Sequence, residues 1–155
     1  MALKYFFVMS LLIATTTLHS TKTQGMIGDI LGMILIKGNV ECSESGNVTR
    51  DGTPAPPFPN ADVQLQCGGK MVSNTTTDDA GDFEIRLDPL QFITYSLLTG
   101  CQLVVTSPLS HCDATLPPVG GLVSTLQLMS STVIGDLQIA NLVPSGFLFN
   151  PKVHH

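Results

Sequence analysis

Basic residues are scarce in this chain of 155 residues, which has seven Lys and Arg against twelve Asp and Glu. The formal net charge is −5 at pH 7, and no stretch of the sequence forms a basic stripe. An acidic chain repels phosphate groups, so the composition disfavours nucleic acid and anionic lipid as partners. We expect no nucleic-acid binding.

Long apolar runs are also lacking. The run "YFFVMSLLIA" is nearer ten residues in length than the roughly 20 that a helix needs to span a bilayer, so we expect no transmembrane segment. It follows Lys4 and precedes a polar run with small residues, "TTTLHSTKTQG", which is the pattern of an export signal. We predict a signal peptide over residues 1–25 and a single secreted domain over 26–155, with its core in 34–150.

Motifs for catalysis and for metal binding are missing as well. The sequence has no GxSxG nucleophile elbow and no CxxC pair, and His111 has no second ligand at zinc spacing. Ser110, His111 and Asp113 are close in "SHCD", but a catalytic triad is recognised by its geometry and not by local clustering. We therefore expect no catalytic residue, no metal and no cofactor, and we predict that the protein is not an enzyme.

Three acids cluster in "NTTTDDAGDFEI", where Asp78, Asp79 and Asp82 surround Gly81. The segment lacks the ligand spacing of an EF-hand loop. Strand-like runs, "KMVSNTTT" and "DFEIRL", flank it, and Asp and Gly are typical turn residues. We predict the tip of a β-hairpin; a weak calcium site and a catalytic carboxylate pair remain as less favoured alternatives.

Cysteines and sequons point to an oxidising compartment. The predicted domain contains four cysteines, Cys42, Cys67, Cys101 and Cys112. An even number in an exported chain indicates two disulfides, for which three connectivities are possible. Asn47 in "NVT" and Asn74 in "NTT" are glycosylation sequons. We expect both asparagines on exposed loops and at least one of them to carry a glycan.

Alternation of apolar and polar residues dominates the domain. The clearest runs are "ILIKGNVEC" (34–42), "ADVQLQC" (61–67), "GDFEIRL" (81–87) and "CQLVVTS" (101–107). A period of two predicts half-buried strands, and the Pro- and Gly-rich stretches between them predict loops. "DPLQFITYSLLTG" fits either a short helix or a connecting loop. The fold class is therefore all-β, a β-sandwich or a small barrel.

The last third of the chain is nearly uncharged. No Lys or Arg occurs between Arg86 and Lys152, and after Asp88 the only acids are Asp113 and Asp136. The region "PPVGGLVSTLQLMSSTVIGDLQIANLVPSGFLF" either supplies core strands and a covering loop, or forms an exposed apolar patch. Such a patch would adhere to wax, cell wall or a pathogen surface, or drive self-association.

A family resemblance rests on four segments in order, "KGNVEC", "PFPNADVQLQC", "TTTDDAGDFEI" and "LLTGCQLVVTSPLSHC". They resemble the plant pollen-allergen and extensin-like family, typified by the major allergen of olive pollen. The late stretches "CDATLPPVGG" and "ANLVPSGFLFNP" are most similar to the phylloplanins, small secreted proteins of leaf surfaces. The resemblance covers residues 34–150 and implies an antiparallel β-barrel or sandwich of about seven strands.

The resemblance also implies a disulfide pairing and a function. It pairs Cys42 with Cys112 and Cys67 with Cys101, while both cysteines of the family's third pair are missing, the first from "CSESG". It implies a secreted, extracellular protein of the leaf surface or cell wall that acts against germinating spores of fungi and oomycetes. The implied partners are the spore surface, cuticle or wall components. The alternatives are a structural, extensin-like wall glycoprotein and a carrier of a small apolar ligand.

Overall fold

The alternating runs of the sequence form strands. The computed structural model describes residues 32–46, 48–49, 51–88 and 94–154, so the predicted signal peptide (1–25) and Asn47 lie outside the described residues. The described strands are β1 (Met33–Asn39), β2 (Asp62–Cys67), β3 (Lys70–Thr76), β4 (Asp82–Leu87), β5 (Cys101–Val105), β6 (Gly121–Ile134), β7 (Leu137–Pro144) and β8 (Leu148–Asn150). Helix α1 (Thr94–Gly100) precedes β5, and a short 3-10 helix (Leu109–His111) follows it.

The strands form one barrel-like sheet that is nearly closed. Seven of them follow the order β3-β2-β5-β6-β7-β1-β4, and β8 pairs with β6 beside this path. The all-β prediction of about seven strands is confirmed, but one neighbouring pair, β1 with β7, is parallel. All the other neighbouring pairs of the sheet are antiparallel, as predicted.

Side chains from the inward faces fill the barrel. In β2, Val63 and Leu65 are fully buried and alternate with more exposed glutamines. β4 repeats the pattern with Phe83, Ile85 and Leu87. The remaining fully buried apolar side chains include Ile34, Ile36, Val40, Phe58, Leu97, Leu103, Leu109, Leu122 and Leu142. Removing this apolar surface from water is the main force that closes the sheet.

Helix α1 settles the alternative that the sequence left open for residues 88–100. The segment Thr94–Gly100 is helical, whereas residues 89–93 lie outside the described part of the chain. Leu97 is fully buried in the core, and the helix leads directly into β5 at Cys101. The helix thus covers part of the barrel interior.

The hairpin predicted at residues 78–82 is wrong, although the turn itself exists. The Asp78 carboxylate accepts hydrogen bonds from the backbone N–H groups of Ala80 and Asp82, both at 2.9 Å. The strands on either side do not pair with each other, because β3 pairs with β2 and β4 pairs with β1, at opposite ends of the sheet path. The acidic turn therefore carries the chain across the open seam of the barrel.

Candidate interaction surface

Two disulfides tie the barrel together. Cys67 and Cys101 are directly opposite each other in the antiparallel pair of β2 and β5, with Cα atoms 4.1 Å apart. Cys42, just beyond β1, is joined to Cys112, just beyond the 3-10 helix, with Cα atoms 6.0 Å apart. These are the two pairs that the family resemblance implies.

The cluster Ser110, His111 and Asp113 is part of a turn. His111 is exposed on the 3-10 helix. The Asp113 carboxylate accepts hydrogen bonds from the backbone N–H of Thr115 at 2.9 Å and from its hydroxyl at 2.7 Å, and these bonds lower the pKa of Asp113 below its ordinary value. Within the described residues, no group of three or more His, Cys, Asp or Glu side chains is arranged to hold a metal ion.

Two of the three acids in the turn at residues 78–82 also have structural partners. Asp78 binds the backbone of its own turn, as described above, and the Asp82 carboxylate accepts a hydrogen bond of 2.8 Å from the Asn39 side chain. The same Asn39 amide donates to the Ala80 carbonyl at 2.9 Å. The acids hold the turn against the end of β1, which accounts for their clustering in the sequence.

A polar groove follows the seam between β3 and β4. The groove has a volume of about 680 Å³ and its lining includes Thr75, Thr76 and Glu84. Glu84 accepts a hydrogen bond from Arg86 at 2.5 Å and forms an ion pair with Lys37 at 3.2 Å. Both partners lower the pKa of Glu84, and Arg86 has the larger effect. A groove lined by these polar groups does not suit an apolar ligand.

The nearly uncharged region forms the most distinctive surface. Beyond Leu126, which is buried, the hairpin of β6 and β7 continues to its tip, and its residues 127–138 are called here the apolar ribbon. Its large apolar side chains are exposed: Leu128 by 50%, Met129 by 73%, Val133 by 68% and Ile134 by 62%. Both interpretations of this region are therefore correct in part, since its first strand residues enter the core and the following ones leave it.

Polar side chains stabilise the ribbon and its base. Asn141 donates hydrogen bonds to the hydroxyls of Ser130 and Thr132, both at 3.1 Å, and Gln138 donates to Ser131 at 3.2 Å. Gly135, with φ of 61°, occupies the turn between the strands. A register shift between Leu128 and Ser130 marks a bulge near Met129, where the ribbon leaves the barrel. These contacts support a strand pair that has no core of its own.

The electrostatics of the ribbon match its apolar character. Asp136, in the turn, is its only charged residue. A surface of this kind loses no ionic hydration when it contacts another apolar surface, because the rest of the ribbon carries only apolar or neutral polar side chains. The ribbon is therefore suited to contact with uncharged apolar material.

Asn74 lies in a strand, whereas the sequence analysis predicted a loop. Its side chain is exposed as expected, but it belongs to strand β3, opposite Gln64 of β2, and not to a loop. β3 is an end strand of the sheet, so the position next to the seam remains accessible. The sequence signal was ambiguous, because "KMVSNTTT" is at once a strand-like run and a sequon.

Membrane insertion through a helix finds no support in the described residues, where no helix has the length and apolar character needed to cross a bilayer.

Comparison with known proteins gave three matches. A family model described as "Phylloplanin antifungal protein" matches residues 30–154. A phylloplanin from Nicotiana tabacum is 40% identical over 124 residues, which cover 77% of this chain and 78% of that protein. The crystal structure of the major plantain pollen allergen Pla l 1 matches at 15% identity with a TM-score of 0.36, over 80% of this chain and 98% of that one. The last similarity is too low to bear on fold or function.

Proposed function

Because the chain belongs to the phylloplanin family, we propose that it is a secreted antifungal protein of plant surfaces. It inhibits the germination of fungal and oomycete spores by binding their surface, without enzymatic chemistry. The signal peptide over residues 1–25 is removed on export, and the domain over 26–155 acts outside the cell, on the leaf surface or in the cell wall.

The observation that carries this proposal is the apolar ribbon. It presents Leu128, Met129, Val133 and Ile134 to solvent at one end of a disulfide-linked barrel. Contiguous exposed apolar surface is rare on secreted monomers and commonly marks an interaction site. An uncharged ribbon on a rigid support fits a waxy or lipid-rich surface of the spore or cuticle, whereas the polar seam groove does not.

Of the alternatives, the structural wall glycoprotein is the one against which the proposal is tested. The carrier of a small apolar ligand has less support, because side chains such as Phe58, Leu65 and Leu103 occupy the described barrel interior. A wall role would require binding to wall components with no effect on spores.

We also propose that Asn74 is glycosylated, and Asn47 in the same way. Asn74 is exposed on an end strand, so an oligosaccharide attached there meets solvent and not the core. The expected result for protein secreted from plant cells is a loss of mass on treatment with an N-glycosidase. The variant Asn74→Gln is expected to show a smaller loss of mass, because it carries no glycan on β3.

The test is spore germination in the presence of the purified, exported protein with its disulfides intact. We expect dose-dependent inhibition that is lost when the protein is reduced and alkylated. The variant Val133→Ser is expected to inhibit less than the native protein, whereas Val119→Ser, which changes a valine of similar exposure outside the ribbon, is expected to inhibit equally. Absence of inhibition by folded, soluble protein would contradict the proposal and favour the wall role.

A further inference from the structure

The apolar ribbon has an open backbone edge. β6 pairs with β5 through residues 122–125 and with β7 through 126–134. Helix α1 contacts β6, and over Met129–Ile134 β7 is the only described strand that pairs with β6. All side chains of Met129–Ile134 are exposed. An edge strand of this kind presents unpaired N–H and C=O groups to any strand that approaches it.

This edge lacks the usual protection against pairing. Secreted and cytosolic proteins commonly blunt an edge with Lys, Pro, a short strand or a covering element. The sequence "MSSTVI" at residues 129–134 has no charge and no proline, and it ends in two β-branched residues. The register shift near Met129 bends the ribbon where it leaves the barrel but does not interrupt the edge beyond it.

From this geometry we propose that the protein forms a two-fold symmetric dimer in which the Met129–Ile134 edges of two copies pair as antiparallel strands. The occupant is a second copy because Met129–Ile134 is uncharged in a chain of net charge −5, so two copies can approach at this edge without bringing like charges together. A two-fold axis between Ser131 and Thr132 places Met129 opposite Ile134 of the other chain, and Ser130 opposite Val133. Interfaces of this closed, isologous kind are the commonest in homo-oligomers.

The distribution of charge selects the antiparallel arrangement. The chain carries a net charge of −5, yet Asp136 is the only ionised residue of the ribbon. In the antiparallel register just described, the two Ile134 residues lie five positions apart along the paired strands, about 17 Å at the rise of a β-strand, and the turns that hold Asp136 are farther apart still. This distance exceeds the screening length of about 8 Å at physiological salt. Parallel or tip-to-tip pairing would place these two acids side by side.

Edge pairing leaves the faces of the ribbon uncovered. The dimer therefore joins the sheets of the two copies and presents apolar side chains from both, such as Val133 and Ile134. This inference does not depend on the proposed function, because association is measured without spores.

Sedimentation velocity of the exported, disulfide-intact protein over a range of concentrations tests the dimer. We expect a concentration-dependent equilibrium between monomer and dimer. The variant Val133→Lys places a charged lysine on an edge that is otherwise uncharged, which is a common means of blocking strand pairing, so its dissociation constant is expected to rise at least about tenfold. Val119→Lys, the same change at a similarly exposed valine outside the ribbon, is expected to leave the dissociation constant unchanged.

The arrangement is tested by spin labels on single added cysteines. Pulsed electron resonance should give a short distance between two labels at Ser131→Cys, near the axis, and a longer one between two labels at Leu137→Cys. Leu137 is in register with Ile134, so it lies five residues along the strands and three strand spacings across from its counterpart, about 22 Å. A protein that stays monomeric at every soluble concentration overturns the proposal. So do equal weakening by both lysine variants and a reversed order of the two label distances.

Discussion

Several individual residues in this domain stabilise turns and the seam of the barrel. Gly81 is the clearest case: its φ is 80°, and a Cβ atom added there would lie 2.5 Å from the carbonyl oxygen of Val40. That carbonyl already accepts a hydrogen bond from Phe58, and the Val40 N–H donates to the Gly81 carbonyl at 2.8 Å. The turn that crosses the barrel seam therefore requires glycine for two reasons, its backbone conformation and its close contact.

The variant Gly81→Ala separates these two reasons when it is compared with Gly69→Ala. Gly69 has nearly the same φ, 79°, but a Cβ atom there would meet nothing within 4 Å. Backbone strain alone costs of order 1 kcal/mol, so chemical denaturation should show this loss for Gly69→Ala and a loss of about 2–3 kcal/mol or more for Gly81→Ala. Equal losses in the two variants would mean that the contact with Val40 relaxes freely.

Two exposed carboxylates link stability to pH. Hydrogen bonds from Arg86 and Lys37 lower the pKa of Glu84, and hydrogen bonds from Thr115 lower the pKa of Asp113. A carboxylate whose pKa is lower in the folded state contributes stability that is complete above its unfolded-state pKa and is lost as pH falls through the folded-state value. The ordinary values are 4.5 and 3.8, so the loss begins below about pH 4.5.

The measurement is the unfolding temperature of the native protein between neutral pH and pH 3. The unfolding temperature of the double variant Glu84→Gln with Asp113→Asn is expected to fall less over this interval than that of the native protein, because two of the titrating groups are absent. The same acid dependence in the double variant and the native protein would contradict the assignment.

Paired strands decide which apolar residues are core and which are surface. In the hairpin of β6 and β7, Leu126 and Leu142 are buried while Leu128, directly opposite Leu142, is half exposed. The difference arises because Leu142 has β1 on its other side, with Ile36 in register, whereas β5 pairs with β6 only as far as Thr125. Beyond Thr125, cross-strand hydrogen bonds from Asn141 and Gln138 support the hairpin, and the large apolar side chains of β6 after Leu126 face solvent.

The ribbon predicts retention on a hydrophobic resin. Val133→Ser removes a valine that is 68% exposed and should reduce retention, while Val119→Ser removes one that is 63% exposed but lies outside the ribbon, and should reduce it less. The physical reason is that adsorption depends on contiguous apolar area and not on the exposure of a single side chain. Elution under a falling salt gradient gives the comparison. Equal shifts would show that Val133 does not belong to a continuous adhesive surface.

The complete barrel depends on its two disulfides as well as on its core. Cys42–Cys112 spans 70 residues of sequence and Cys67–Cys101 spans 34. In the chain-entropy model each bond stabilises the fold by about 4 kcal/mol, with the longer loop contributing about 0.6 kcal/mol more. The longer bond also anchors the loop after β1 to the loop after β5, whereas the shorter one lies within a strand pair that hydrogen bonds already hold.

We therefore expect the double variant Cys42→Ser with Cys112→Ser to lose more stability in chemical denaturation than Cys67→Ser with Cys101→Ser. Replacing both cysteines of a pair leaves no unpaired thiol, so thiol exchange does not complicate the comparison. A greater loss from the shorter loop would indicate that strain or residual structure in the unfolded chain dominates over loop entropy.

Much of this architecture could be predicted from local patterns. The alternating runs became β2, β4 and β5 with small changes at their ends, and the inward residues Val63, Leu65, Phe83 and Ile85 are buried as their periodicity predicts. These patterns suffice because a half-buried strand shows its own inner face in its sequence. The turn at residues 78–82 was likewise evident from Asp and Gly, whose backbone preferences are local.

The local patterns do not show which strands pair with each other in the sheet. Strand β3 is followed by a tight turn and a strand, which locally resembles a hairpin, yet β3 pairs with β2 and β4 pairs with β1, and no pairing joins β3 to β4 across the seam. The point at which β6 leaves the core depends on where β1 and β5 end, and nothing in "LQLMSSTVIG" marks it. The sequence by itself therefore determined strand content, export features and low charge, while strand order, the seam and the exposed ribbon were decided only by tertiary pairing, because closure of a sheet depends on all its strands together.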